Sequence, residues 1–330
     1  MSSLWRSPLI LKKNDKSQYG IPYQGSKKKI ISEIAKCFPN KENFYDLFGG
    51  GFSVPHYMFL HRGKSYKHFH YNELRPGLCE LIQDAIAGKY NYDVFKPEWI
   101  SREKFFAEKE TNAYIKIIWS FGNNGENYLF GKEIEQEKRS MHQAIIFDEF
   151  DSFMNEVFGL KQWPNKLTIT GKRLYLRRVI ASLKNKRCDL ERLQQLQRLQ
   201  QLQRLQQLEQ LERLQQLEQL ERLQQLQRLS FTNLDYREVP IKKDSIIYCD
   251  IPYQGTTDYG NPFSHLAFFD WANDQVEPVF ISEYDIKDKR FFLLKEIKHR
   301  TIFSATKNEG SVKERLYCNQ SAYDLLKSLR

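Results

Sequence analysis

The chain has 330 residues, enough for about two or three domains, with the apolar and aromatic share of an ordinary globular protein. Its formal charge of +10 fits a polyanionic partner, nucleic acid first, and equally a merely soluble basic protein. Five scattered cysteines with no C-x-x-C pair argue against a disulfide framework or a zinc site, and no run of about 18 apolar residues suggests a membrane span. The opening residues, MSSLWRSPLILKKNDKS, lack the apolar core and cleavage site of a signal peptide, so a reducing cytoplasm is the expected location.

The first patterned segment is IPYQGSKKKI, Ile21 to Ile30. An aromatic, a Gly25-Ser26 turn and a lysine precede a helical run. Lys27 is suited to meet a carboxylate and Tyr23 to cover an adenine ring; a solvated, basic helix start fits the same residues. Next comes FYDLFGGGFSVP, Phe44 to Pro55. The spacing predicts a strand over Asn43–Phe48, a turn through Gly49, Gly50 and Gly51, then a helix. That order belongs to loops that bring backbone close to a nucleotide-type cofactor. The glycines do not follow G-x-G-x-x-G, which weakens a dinucleotide reading, and Asp46 suits a cationic amine better than a pyrophosphate. A second strand is expected over Lys67–Tyr71, followed by a helical pattern through Leu74, Leu78, Leu81 and Ile82. Glu73, at the end of that strand, can accept both hydroxyls of a ribose or can sit as a helix N-terminal carboxylate.

From Lys89 to Arg187 the chain is aromatic, charged and rich in loop-forming residues, as in WSFGNNGENYLFG, and reads as an inserted domain. A segment foreign to the rest follows. From Leu190 to Leu229 every third residue is leucine, separated only by Gln, Glu and Arg. All these residues favour helix. Yet period three displaces each leucine by ~60° from the last, so the stripe circles a helix in ~18 residues. A partner following it would need a supercoil pitch of ~27 Å, far from the ~140–210 Å of two-stranded coiled coils. This is not a leucine zipper; a tolerated low-complexity insert, dispensable for chemistry, is the expectation. Six Arg against five Glu nearly cancel within it, so the repeat does not explain the basic balance.

Beyond the repeat, Ser245–Cys249 is a β-branched strand ending at Asp250, within YCDIPYQGT, and Pro278–Ser282 is another strand. Asp250 can accept a hydrogen bond from an amino group and the Ile251 carbonyl can accept a second. Pro252 restricts Ile251 to extended conformations, which helps aim that carbonyl, and Tyr253 offers a flat face for a base. A surface turn with a capping aspartate is the plainer alternative. Strands alternating with helices outside the insert and the repeat predict a doubly wound α/β domain.

Taken in order, these motifs resemble the alpha group of amino-methyltransferases, the Dam-like and phage-type DNA adenine N6-methyltransferases. YQGSK is similar to their N-terminal cofactor motif, DLFGGG to their F-x-G-x-G motif, YNELRPGL to the ribose-holding segment and DIPY to the D-P-P-Y catalytic tetrapeptide. NLDYREV, Asn233 to Val239, resembles the segment whose acid reads the cofactor adenine, implying Asp235. VFISEY, Val279 to Tyr284, resembles a strand lining the target-base pocket, and KERLYCN, Lys313 to Asn319, the closing strand. The resemblance implies a Rossmann-like methyltransferase fold formed by residues 1–88 and 230–330, with residues 89–187 as target recognition domain and 188–229 as the repeat insert. It implies S-adenosylmethionine held by Tyr23, Gly25, Ser26, Lys27, Asp46, Phe48, Gly49, Gly50, Gly51, Glu73 and Asp235. It implies catalysis by Asp250, Ile251, Pro252 and Tyr253 without a metal, on an adenine flipped from double-stranded DNA, with a monomer as the favoured state. Basic residues in GKRLYLRR, Gly171 to Arg178, are candidates for phosphate contacts. Ile251 departs from the family's commoner proline, but the chemistry needs that residue's carbonyl rather than a ring. The repeat stands just before the Asp235 segment and would either loop out or displace its strand. RNA adenine or cytosine N4 as the methyl acceptor, or a catalytically inactive DNA-binding regulator, are the competing readings.

Overall fold

A computed structural model describes residues 19–92, 94–185, 209–220, 228–253, 263–300 and 311–329. Its centre is a seven-stranded sheet of β1 (Asn43–Asp46), β2 (His68–Asn72), β3 (Leu229–Thr232), β4 (Ser245–Asp250), β5 (Val279–Glu283), β6 (Phe292–Arg300) and β7 (Ser311–Cys318). The spatial order is β3-β2-β1-β4-β5-β7-β6. The pairs among β1 to β5 are parallel, and β7 runs antiparallel between β5 and β6.

Alternation along the strands explains why both faces are covered. Phe44, Ile246, Tyr248, Phe280, Leu316 and Cys318 point to one apolar cluster, where helices Ser53–Arg62 and Gln320–Ser328 supply Val54, Met58 and Ala322. Tyr45, Ile247, Cys249, Ile281 and Tyr317 point to the other, filled by Phe268 and Ala272 of helix His265–Asp274. Asn319 fastens the closing strand. Its side-chain oxygen accepts from Val279 N at 3.1 Å and Ala322 N at 3.0 Å, and its amide donates to the Ala272 carbonyl at 3.0 Å.

The stretch expected to be loop-rich is instead helical. It forms Arg102–Glu108, Ala113–Ile118, Glu135–Phe147, Ser152–Phe158 and Ile169–Asn185. Side chains of Ser101, Asn112 and Asp151 cap three of these helices, each accepting from a backbone N–H three residues on. Their apolar residues merge with Phe52, Tyr71, Leu78 and Ile82 into one continuous cluster around Trp119 and Phe130. GKRLYLRR also departs from expectation. Lys172 and Arg173 are buried in helix Ile169–Asn185, and Lys172 donates to Asp148 at 2.5 Å and the Ile145 carbonyl at 3.1 Å. Arg177 and Arg178 remain on the exposed side of that helix.

Most of the leucine repeat lies outside the described residues, but Glu209–Leu220 is a helix packed on Leu78–Ile86 and Ala113–Ile118. Leu214, Leu217 and Leu220 are fully buried, so this part is a piece of the core and not an inert insert. The angular argument fails over so short a span: three leucines at period three cover only ~120°, one helix face. Arg213 is buried beside them and donates to the carbonyls of Ile118 and Ser120, both at 2.7 Å, covering the end of helix Ala113–Ile118. Nor does the repeat displace the next strand. Its last leucine, Leu229, opens β3 in register with Phe69.

Residues 200–211, QQLQRLQQLEQL, nearly copy residues 209–220, EQLERLQQLEQL. Removing residues 209–217 therefore restores an arginine and three leucines at the same distance from β3. Removing residues 209–214 restores the leucines but brings Gln207 to the arginine's place. The nine-residue deletion is expected to keep the parent's stability, and the six-residue deletion to lose about 2 kcal/mol, because the Ile118 carbonyl loses the arginine and the Ser120 carbonyl keeps only Asn123 N at 3.3 Å. Urea denaturation of both proteins checks this, and equal losses would refute it.

Candidate active site

The C-terminal ends of β1, β2 and β4 lie side by side. Asp46 pairs in register with Tyr71 and Tyr248, and Leu47 N donates to the Tyr248 carbonyl at 3.1 Å. Asp250 thus emerges beside the Gly49–Gly51 turn, at the point where an α/β sheet reverses its winding and ligands bind.

The N-terminal segment closes over that turn. Ile21 N donates to the Gly51 carbonyl at 2.8 Å. A Cβ on Gly51 would lie 3.0 Å from Tyr23 Cγ and 3.2 Å from the Ile21 carbonyl oxygen, so only glycine permits the approach. Tyr71 hydroxyl donates to the Gly50 carbonyl at 2.7 Å. Glu73, buried at the end of β2, accepts from Gly50 N at 2.8 Å and from Arg75 N at 3.0 Å. Arg75 donates to the Tyr23 hydroxyl and lies over its ring, 5.3 Å from the centroid. Tyr23, Gly50, Gly51 and Glu73 therefore form one connected wall.

Lys27 reaches from this segment to the other side of the site. Its ammonium sits 2.8 Å from Asp250 Oδ1 and 2.9 Å from Glu314 Oε1, and 3.4 Å from the Gly25 carbonyl. It also lies 4.8 Å from the centre of the Tyr253 ring, whose hydroxyl donates to Glu314. Burial works against the Lys27 charge, but Asp250 and Glu314 outweigh it and hold the ammonium above its ordinary pKa. Burial, with Glu314 adding to it and Lys27 opposing it, pushes Asp250 up to about 6. Tyr284, just past β5, meets the Tyr253 ring edge-on at 4.4 Å between centroids. His265 lies 2.7 Å from the Pro252 carbonyl, steadying the turn after Asp250.

Two buried polar atoms at this junction have no hydrogen-bond partner: Asp46 Oδ1 and Ser26 Oγ. Burial, then the charges of Asp250 and Glu73, raise the Asp46 carboxyl well above its usual range. Phe48 leads away toward Tyr236, with ring centroids 5.4 Å apart. Beside Tyr236, Asp235 follows β3 and takes a two-pronged bond from Arg237 at 2.7 and 2.9 Å, which holds its pKa down. Glu314 is the residue sequence reasoning missed, although KERLYCN contains it. A signal was present: by strand alternation it shares a face with Leu316 and Cys318, so a carboxylate stands on an otherwise apolar face. Residues 254–256 of YCDIPYQGT lie outside the described residues.

A parallel sheet of this order with antiparallel β7, and an acid-bearing turn beside a glycine loop, define a Rossmann-like methyltransferase. The sequence profile of the D12 class N6 adenine-specific DNA methyltransferases matches residues 23–277, and the chain belongs to that family. It is an adenine-specific DNA methyltransferase. Comparison with curated protein sequences gives no match. Among solved structures, the rRNA methyltransferase aviRa from Streptomyces viridochromogenes is similar over 91% of this chain and 86% of its own, with 11% identity and a TM-score of 0.37. Among the described residues, no helix is long and apolar enough to cross a membrane.

Proposed function

We propose that the enzyme moves a methyl group from S-adenosylmethionine to N6 of an adenine flipped out of duplex DNA, using Asp250 and the Ile251 carbonyl as the two acceptors of the amino group. The observation that carries this reading is the half-buried Asp250 carboxylate beside the glycine turn, at the shared ends of β1 and β4.

The residues present fit the cofactor. Its ammonium needs a buried anion, and Asp46 offers a carboxylate oxygen that nothing else engages; its polar groups can also meet the orphaned Ser26 hydroxyl. Tyr23, Gly25, Ser26, Lys27, Phe48 and Gly49 to Gly51 would hold it, with Glu73 toward its ribose and Asp235 toward its adenine. When bound, it supplies a sulfonium-activated methyl group.

The chain's own residues do the rest. An adenine amine is a weak nucleophile because its lone pair is shared with the ring. Two acceptors drawing on its hydrogens return electron density to nitrogen and pull it toward tetrahedral geometry. Asp250 must be ionised to accept, so activity should fall as pH drops through about 6. Pro252 fixes the Ile251 carbonyl and Tyr253 stacks on the extruded base. The segment between β2 and β3, residues 89–187, is the proposed target recognition domain.

Purified enzyme with S-adenosylmethionine is expected to yield N6-methyladenine in duplex DNA at specific sites. Nucleoside analysis of duplex DNA and RNA substrates tests it. Product confined to RNA, or appearing as N4-methylcytosine, would overturn the assignment of the acceptor.

A further inference from the structure

We infer that Glu314 is a positioning residue of the methyl-transfer site: it parks the Lys27 ammonium and fixes the Tyr253 hydroxyl so that Asp250 can turn to the target amine. The inference rests on the reading of Asp250 given above.

The geometry carries it. Lys27 is shared almost equally, 2.8 Å from Asp250 and 2.9 Å from Glu314. A carboxylate that holds an ammonium alone is a poor acceptor for a neutral amine, because the stronger donor keeps it. A second buried carboxylate changes that balance. Lys27 and Glu314 can close into a neutral pair when the base arrives, which leaves the Asp250 carboxylate as the one net charge, turned to the amine. Glu314 is suited to this, being itself buried and placed on β7, a strand paired on both edges. The same oxygen that meets Lys27 accepts the Tyr253 hydroxyl, so one carboxylate sets both the cation and the aromatic wall.

The charges around Asp250 give this role a signature. Lys27 faces it from the N-terminal segment, Glu314 from β7, Tyr253 from its own turn, Asp46 from the end of β1 and Tyr248 from β4. His265, Glu283 and Tyr284 line the same neighbourhood. Glu314 pushes the Asp250 carboxyl upward, so removing its charge lets Lys27 dominate and lowers the pH at which Asp250 loses its proton.

The test is Glu314→Gln in the full-length enzyme, with Asp250→Ala in parallel. Glu314→Gln is expected to lower kcat by about tenfold or more with KM for DNA within about twofold. The acid limb of its kcat profile should move to lower pH. A folded Glu314→Gln enzyme with parental kcat and an unmoved acid limb overturns the inference. If at the same time Asp250→Ala is inactive, the reading of Asp250 stands; an active Asp250→Ala overturns that reading as well. Should Glu314→Gln show no cooperative melting, Glu314→Asp decides. It keeps the charge but withdraws it by one methylene, so kcat should fall while the acid limb stays; parental kcat overturns the role.

Discussion

Asp250→Ala is expected to bind S-adenosylmethionine with near-parental affinity and to methylate DNA about a thousandfold more slowly. The substitution removes the proposed acceptor but not the site around it. Lys27 keeps Glu314 as its counter-ion at 2.9 Å, so no lone buried cation results. Asp46, Glu73 and the glycine turn belong to β1 and β2 and do not depend on Asp250 for their backbone bonds. Burial already disfavours the Asp250 carboxylate, so thermal stability should hold. Titration calorimetry and single-turnover methylation measure the two quantities separately. Loss of cofactor binding together with activity would mean that Asp250 is part of the binding wall and not an acceptor for the amine.

Gly20→Ala should act instead on stability and on cofactor affinity. Gly20 sits at φ +72°, and an added Cβ would collide with the Gly51 carbonyl oxygen and lie 2.7 Å from Ser53 N and 2.9 Å from Phe52 C. All three are backbone atoms of the turn, so no side chain can step aside. Left-handed backbone costs roughly 1–2 kcal/mol for a non-glycine residue, and forced overpacking typically adds ~1–3 kcal/mol. A loss of about 3 kcal/mol in stability follows, with weakened cofactor affinity, because the segment bearing Tyr23 to Lys27 is pushed off the glycine turn. Urea denaturation and calorimetry check both. Unchanged affinity would show that the segment reaches Asp250 without leaning on the turn.

The middle of the sheet was legible from the chain because β1, β4 and β5 are buried on both faces. Asn43–Phe48, Lys67–Tyr71, Ser245–Cys249 and Pro278–Ser282 all read as strands, and each lies within one or two residues of an observed one. The adjacency of Asp250 and the glycine turn followed from motif order. What escaped depends on contacts between distant segments. The helices between residues 102 and 185 are short, and their buried faces mix aromatics with Lys138, His142 and Lys172, which blurs the helical period. Arg213 reads as one of six similar arginines until the carbonyls of Ile118 and Ser120 are seen beside it. Glu314 looked like one charge among several in KERLYCN; only its partners mark it out, Tyr253 61 residues earlier and Lys27 nearly the length of the chain away.

The pairing of β1 with β4 and of β2 with β3 sets the order in which the protein can assemble. Asn43 waits for Ser245, and Phe69 for Leu229. At ribosomal speeds of about 5–20 residues per second, the first two strands stand with open edges for on the order of ten seconds or longer. Their nearest available company in that interval is each other and the helix after β1. A parallel sheet interrupted by so long an excursion closes late, and leaves the nascent enzyme dependent on whatever shields apolar strand edges during its synthesis.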